Sequence, residues 1–172
     1  MQLQNRIAYL SIFTAATISL FIIESFIPQP VPGIRLGLAN IFILLVLLNY
    51  EFKEAMIVGI LKSIVGSLII GRLLSPSFLL SISGTVVSIT VMTVAVRYIR
   101  GISLVGISIL GAESHIITQL LLTSSLFLGK VSFNYLLPPF VLLSLITGSI
   151  TGMIAYLLYS KIEGRIEVSE TS

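Results

Sequence analysis

Apolar stretches of membrane-spanning length follow one another along almost the whole chain. Few folds are compatible with that. Inside lipid every backbone N–H and C=O must find a partner within the protein, which leaves α-helices and closed β-barrels. A barrel strand alternates apolar and polar residues, whereas these runs are continuous. The sequence therefore predicts an all-α integral membrane protein. At roughly 20 apolar residues per crossing, it predicts six transmembrane helices over 7–27, 36–50, 55–74, 78–98, 103–128 and 135–159. The connections are too short for a soluble domain, so residues 1–172 read as one transmembrane domain with a polar tail at 161–172.

The charges set an orientation. Arg6, Lys53, Arg97, Arg100, Lys161 and Arg165 fall on one side of such a bundle, and Arg35, Arg72 and Lys130 on the other. By the excess of Lys and Arg in cytoplasmic loops, both termini are expected in the cytoplasm. Charged residues make up 10% of the chain, against about 25% in a soluble domain. The net charge of +3 is spread over helix ends, so nucleic acid is not an expected partner and membrane lipid is.

Composition also removes chemistry. There is no Cys, hence no disulfide, thiolate metal site or cysteine nucleophile. All seven acidic residues are Glu. Without Asp, Asp-rich magnesium sites are excluded, and a single His is weak support for any metal. Gly129-Lys130 lacks the spacing of a phosphate-binding loop, with Ser124 and Val131 at the flanking positions. No catalytic residues, cofactor or metal are expected, and the chain is not expected to be an enzyme. Uphill transport would draw on an ion gradient or another subunit.

What remains is a handful of polar side chains within the apolar runs: Glu24, Lys62, Glu113, His115 and Gln119. An ionisable group at the bilayer centre costs at least ~2.5–3.5 kcal/mol on insertion scales, so each marks a candidate functional position. His115 and Gln119 are four residues apart and share a helix face. A buried Lys62–Glu113 pair is one structural expectation, and a hydrogen bond from His115 to a neighbouring helix is another. Glu24 and Arg35 flank the turn Pro28-Gln29-Pro30-Val31-Pro32-Gly33, which cannot be helical throughout because its prolines lack amide donors. They either pair at the membrane edge or frame an opening, with Asn40 starting the next helix. Small residues at four-residue spacing predict close helix packing. The stripes are Ser11, Ala15 and Ser19; Gly59, Ser63, Ser67 and Gly71; and Ser144, Gly148 and Gly152. The first is also a candidate docking face for a membrane partner.

Several segments together resemble one family. They are Glu24 with the Pro28-to-Asn40 turn, Phe52-Lys53-Glu54-Ala55 with Lys62, the run Ser77-Phe78-Leu79-Leu80-Ser81-Ile82-Ser83-Gly84, and Gly106 to Ala112 leading to His115 and Gln119. The combination resembles the Gx transporter family, often labelled heptaprenyl diphosphate synthase component I, and is similar to the S components of energy-coupling factor transporters. The resemblance implies a six-helix S-component-like bundle in a prokaryotic cell membrane. It implies a small vitamin-like or precursor substrate bound by Glu24, Arg35, Asn40, Lys62, His115 and Gln119. Pro28, Pro30, Pro32 and Gly33 would form the gating loop. Ser11, Ala15 and Ser19 would meet a transmembrane coupling subunit that works with ATPase subunits. Two alternatives stand beside it: an accessory membrane subunit of isoprenoid or quinone biosynthesis, and a stand-alone ion-coupled carrier with Glu113 and His115 as relay groups. The synthase label conflicts with the absence of Asp, because prenyl elongation holds magnesium with Asp-rich motifs.

Overall fold

In the computed structural model, residues 2–27, 37–128 and 130–170 are described. Among them are six α-helices and no strand: α1 Gln2–Ser25, α2 Asn40–Asn49, α3 Phe52–Ile69, α4 Pro76–Tyr98, α5 Leu104–Thr123 and α6 Lys130–Glu170. A five-residue π-helical turn, Ser124–Leu128, follows α5.

The helix ends are written in local chemistry. Ser75 and Ser103 accept hydrogen bonds from the amides of Phe78 (3.3 Å) and Gly106 (3.1 Å), capping α4 and α5. Pro76 opens α4, where its missing N–H costs nothing. Helix α3 ends in a Schellman turn: Gly71, at φ +71°, donates to Leu68 and Arg72 donates to Ser67.

Four helical segments are long and apolar enough to cross a membrane: Arg6–Ser25, Pro76–Tyr98, Leu104–Leu126 and Phe133–Lys161. Each of the six expected spans corresponds to a helix, and four of the six are long and apolar enough to cross a membrane on their own. Helix α2 has ten residues, about 15 Å of rise, which is half of a bilayer core. Helix α3 has 18 residues, but Lys53, Glu54 and Lys62 interrupt it. Helix α6 departs from the expected 135–159 at both ends. It starts at Lys130, carries Pro138 and Pro139 inside, and continues through the polar tail to Glu170.

Large apolar side chains cover the outside of the bundle; Ile12, Ile57, Leu68, Leu142, Ile146 and Met153 are all more than half exposed. A soluble monomer rarely shows contiguous apolar surface on this scale, and together with the four long helices it marks a membrane protein. Helix α2 lies at the centre and packs against every other helix. Its Ile43, Leu44, Leu45 and Val46 are fully buried, with Val58, Ile89, Met92 and Ile107 around them.

Close approach elsewhere depends on the small stripes. A Cβ on Gly148 would lie 2.9 Å from the Cα of Ile109, and one on Gly152 would lie 2.7 Å from the Cα of Val105. Helices α5 and α6 therefore touch backbone to backbone, pinned by a 2.8 Å hydrogen bond between Ser108 and Thr151. Gly59 seats Thr85 and Ile89 of α4 against α3. On α3, Gly59, Ser63 and Ser67 are buried in a packing face, while Gly71 lies exposed in the turn beyond the helix; the α6 stripe is a packing face throughout. Ser11, Ala15 and Ser19, by contrast, are all exposed on the outside of α1.

Candidate functional site

One buried polar cluster lies where α1, α2, α3, α4 and α5 converge. Lys62, near the middle of α3, is 1% exposed. Its ammonium donates to Thr85 Oγ1 of α4 at 2.9 Å and to Asn40 Oδ1 at the start of α2 at 3.2 Å. The same nitrogen lies 5.8 Å from the centroid of the Phe21 ring on α1, a cation–π contact. That ring sits flat on Gly66, where a Cβ would come within 2.3 Å of it. A smaller residue than any with a side chain is thus needed on α3 for the aromatic to reach the cation.

The second half of the cluster comes from α5. His115 and Gln119 are both buried, and their side-chain nitrogens are 3.1 Å apart. The imidazole lies against Gly84 of α4, whose Cβ would stand 2.9 Å from the ring. A Cβ on Gly37 would be 3.1 Å from Asn40 Nδ2 and 3.7 Å from His115 Cδ2. Gly37 therefore joins the two halves, and its φ of +80° is a left-handed conformation that suits glycine.

Glu24 closes the cluster from α1. It is 3% exposed, and its Oε1 accepts from the Gly37 amide at 2.6 Å. This bond spans the turn between α1 and α2, tying the end of one helix to the approach of the next. Replacing Glu24 by Ala strands the buried Gly37 amide. A hydrogen bond to a charged group contributes about 1.5–3 kcal/mol, so the variant is expected to lose stability on that scale. Thermal unfolding in detergent followed by circular dichroism checks this, and an unchanged midpoint would contradict it.

Asn40 has a chemical signature. Lys62 can only donate, so the Asn40 atom facing it is the oxygen, and the amide nitrogen faces away. That nitrogen is buried and makes no hydrogen bond among the described residues. Leaving a buried donor unmade costs about 1–3 kcal/mol. The ammonium, the Asn40 amide and the positive end of the α2 dipole all suit an electron-rich oxygen. The arrangement presents donors, suited to an acceptor such as a carboxylate or carbonyl oxygen.

Of the positions expected from sequence, Glu24, Asn40, Lys62, His115 and Gln119 are brought together. Arg35 and the gating-loop positions Pro28, Pro30, Pro32 and Gly33 lie outside the described residues. The Lys62–Glu113 pair does not form. Lys62 turns instead to Asn40 and Thr85, while Glu113 is partly buried and its Oε1 makes no hydrogen bond among the described residues. These two residues sit on helices separated by α4, and the α5 face carrying Glu113 is not the one that meets it. Sequence reasoning passed over Phe21 and Thr85, and met Gly37 and Gly84 only within the segments that carry the family resemblance, without naming them as site residues. A signal for Thr85 was present: Ser81, Thr85 and Ser88 fall on one face of α4 at four- and three-residue spacing, and all three are buried. No group of three His, Asp or Glu side chains that could hold a metal occurs among the described residues.

Comparison with curated proteins gives no match, and comparison with solved structures gives none. A family model described as heptaprenyl diphosphate synthase component I matches residues 13–158. That range takes in every residue of the cluster, and the chain belongs to the heptaprenyl diphosphate synthase component I family.

Proposed function

We propose that this protein is the solute-capturing membrane subunit of an energy-coupling-factor-type importer, and not itself an enzyme. All six helices lie in the membrane with both termini in the cytoplasm. A small vitamin-like or precursor molecule binds at the cluster, and separate ATPase subunits supply the energy through a transmembrane coupling subunit. The observation that carries this reading is the meeting of Glu24, Asn40, Lys62, His115 and Gln119 in one buried place within an apolar bundle. Five helices each contribute to it, and packing alone gives no reason to bury so many polar groups together. The Asn40 amide, with a donor unspent, favours a solute carrying a carboxylate or carbonyl oxygen. The exposed Ser11, Ala15 and Ser19 face offers close approach to a partner helix.

The test is to purify the protein gently, identify any retained small molecule by mass spectrometry, and measure its uptake with and without a coupling module. Retention of one solute, with uptake that requires the module, is the expected result. A protein that retains nothing and never co-purifies with such a module would remove the reading.

The family description favours a second reading, an accessory membrane subunit of a prenyl diphosphate synthase. The absence of Asp leaves the chain no magnesium-binding motif for elongation, so it would have to anchor or assist a catalytic partner. Recovery of a soluble synthase with the purified protein, together with faster chain elongation when both are present, would establish that reading instead.

A further inference from the structure

At the other end of α1, away from the polar cluster, two hollows meet at an ion pair. One is an open recess of about 490 Å³ lined by Arg6, Tyr9, Asn49, Tyr50 and Glu51. The second is a groove of about 440 Å³ between α1 and α3, lined chiefly by apolar side chains such as Leu10, Ala15, Ile18, Ile57 and Leu61, with Glu54 at one end. Arg6 bonds Glu54, so the wall of the polar recess and the end of the apolar groove are the two halves of one salt bridge.

The chemistry of the recess is that of a membrane interface. Tyrosines concentrate at the level of lipid headgroups, and this recess holds two. The Arg6 guanidinium stands 5.5 Å from the Tyr50 ring centroid. Its fork has five donors, so the bond to Glu54 leaves others for a phosphate. Asn49 Nδ2 donates to Leu45 O at 2.8 Å, which leaves Oδ1 as an acceptor beside the Glu51 carboxylate. The recess thus offers a cation for a phosphodiester and acceptors for a donor attached to it.

The groove has the length of a lipid tail. From Ile7 to Ile18 is about 16 Å of helix at 1.5 Å per residue. One leaflet of a ~30 Å hydrocarbon core is about 15 Å deep. The groove begins at the charged pair and ends near the depth at which a leaflet ends.

We infer that this face of α1 is a binding site for a glycerophospholipid whose headgroup carries a hydrogen-bond donor, with its phosphate at Arg6, its ammonium or hydroxyl at Glu51 and Asn49, and one acyl chain in the α1–α3 groove. Phosphatidylethanolamine and phosphatidylglycerol meet that description. Phosphatidylcholine does not, because its quaternary nitrogen has no N–H. The site is separate from the Lys62 cluster and does not depend on the importer reading. Because the groove includes Ser11 and Ala15, a lipid there would occupy part of the face assigned to a partner helix.

The experiment is native mass spectrometry of the whole protein released from nanodiscs containing equal amounts of the three lipids with identical chains. Phosphatidylethanolamine and phosphatidylglycerol are expected to stay bound at collision energies that strip phosphatidylcholine. Arg6→Gln should lower their retention roughly fivefold, the scale of one exposed hydrogen bond. Ala15→Phe, which fills the groove on an exposed face, should lower retention of all three, while Tyr135→Ala on α6 should change nothing. Equal retention of phosphatidylcholine overturns the headgroup assignment, as does wild-type retention in Arg6→Gln. Soluble glycerophosphoethanolamine binding as well as the intact lipid would assign the recess to a free phosphodiester and overturn the groove. A protein dimer that excludes lipid would give this face to a second copy and overturn the whole inference.

Discussion

Replacing Lys62 by Met is expected to abolish solute retention while leaving the bundle folded. Hydrogen bonds to a charged group contribute about 1.5–3 kcal/mol each, so loss of the ammonium should weaken binding of a carboxylate or carbonyl by roughly 10–100-fold. The effect on folding has the opposite balance. Met is unbranched and fills the space along α3 with little strain. Asn40 Oδ1 and Thr85 Oγ1 lose their donor, at about 1–3 kcal/mol for an unmade bond. Against this, the variant no longer holds a cation at 1% exposure, and the desolvation penalty for a buried ion is several kcal/mol. The thermal midpoint should therefore hold or rise. Binding is read from the amount of co-purifying solute, and folding from the melting curve. Full retention of solute would show that Lys62 is not a ligand contact. A collapse of the melting midpoint would show instead that it is a structural post.

The largest loss of stability is expected from Gly152→Leu. The new side chain would begin 2.7 Å from the Cα of Val105 and 2.9 Å from the Cβ of Ser108. A side-chain neighbour can rotate away, but a backbone atom within a helix cannot, so α5 and α6 must separate. Overpacking of this kind costs typically about 1–3 kcal/mol and occasionally more. The Ser108–Thr151 hydrogen bond, one residue away, breaks with it. Substituting Leu for Ile150, which is 51% exposed on the outside of the same helix, should stay within about 0.5 kcal/mol. Size-exclusion profiles after stepped heating compare the two: the Gly152 variant should lose its monodisperse peak many degrees earlier. Equal profiles would mean that the close α5–α6 approach contributes little.

Much of the site was legible because the surroundings are so uniform. In a helix otherwise fit for lipid, a Glu, Lys, His or Gln stands out, and the cluster joins four of the five that did, with Asn40 from the start of α2. The α6 stripe and Gly59, Ser63 and Ser67 of α3 were readable for the same reason, since regularly spaced small residues let helices approach closely. The uniformity also hid things. Phe21 is 1% exposed and Phe26 is 81% exposed on neighbouring turns of chain, yet an apolar helix immersed in lipid has no polar face to tell inside from outside. Asn40 was expected to start α2 and does, although the run over 36–50 is apolar almost without break and its hydropathy does not mark where the helix starts. The turn does so instead: Gly37 at positive φ, with Asn40 and Ile41 amides bonded back to Gly37 and Leu38, fixes the start of α2. The expected Lys62–Glu113 pair failed because spacing along a chain says nothing about which helix stands between two others. The tail beyond Lys161 is polar, but it holds no proline and has Glu163, Arg165, Glu167 and Glu170 as good helix formers, and α6 continues through it.

The brevity of α2 has a consequence for where a guest would rest. Its far end, Asn49, adjoins the Tyr50–Glu51 corner where α3 begins, at the level of the Arg6 recess. Nine residues inward, Asn40 stands about 14 Å deeper, and Lys62 lies at a similar remove from the start of α3. Along α1, which is long enough to cross over Arg6–Ser25, the same cluster is met only at Phe21 and Glu24, near the helix's other end. A molecule gripped there would rest past the middle of the bundle, nearer the side on which α1 ends. A short path opened on that side would be enough to admit it.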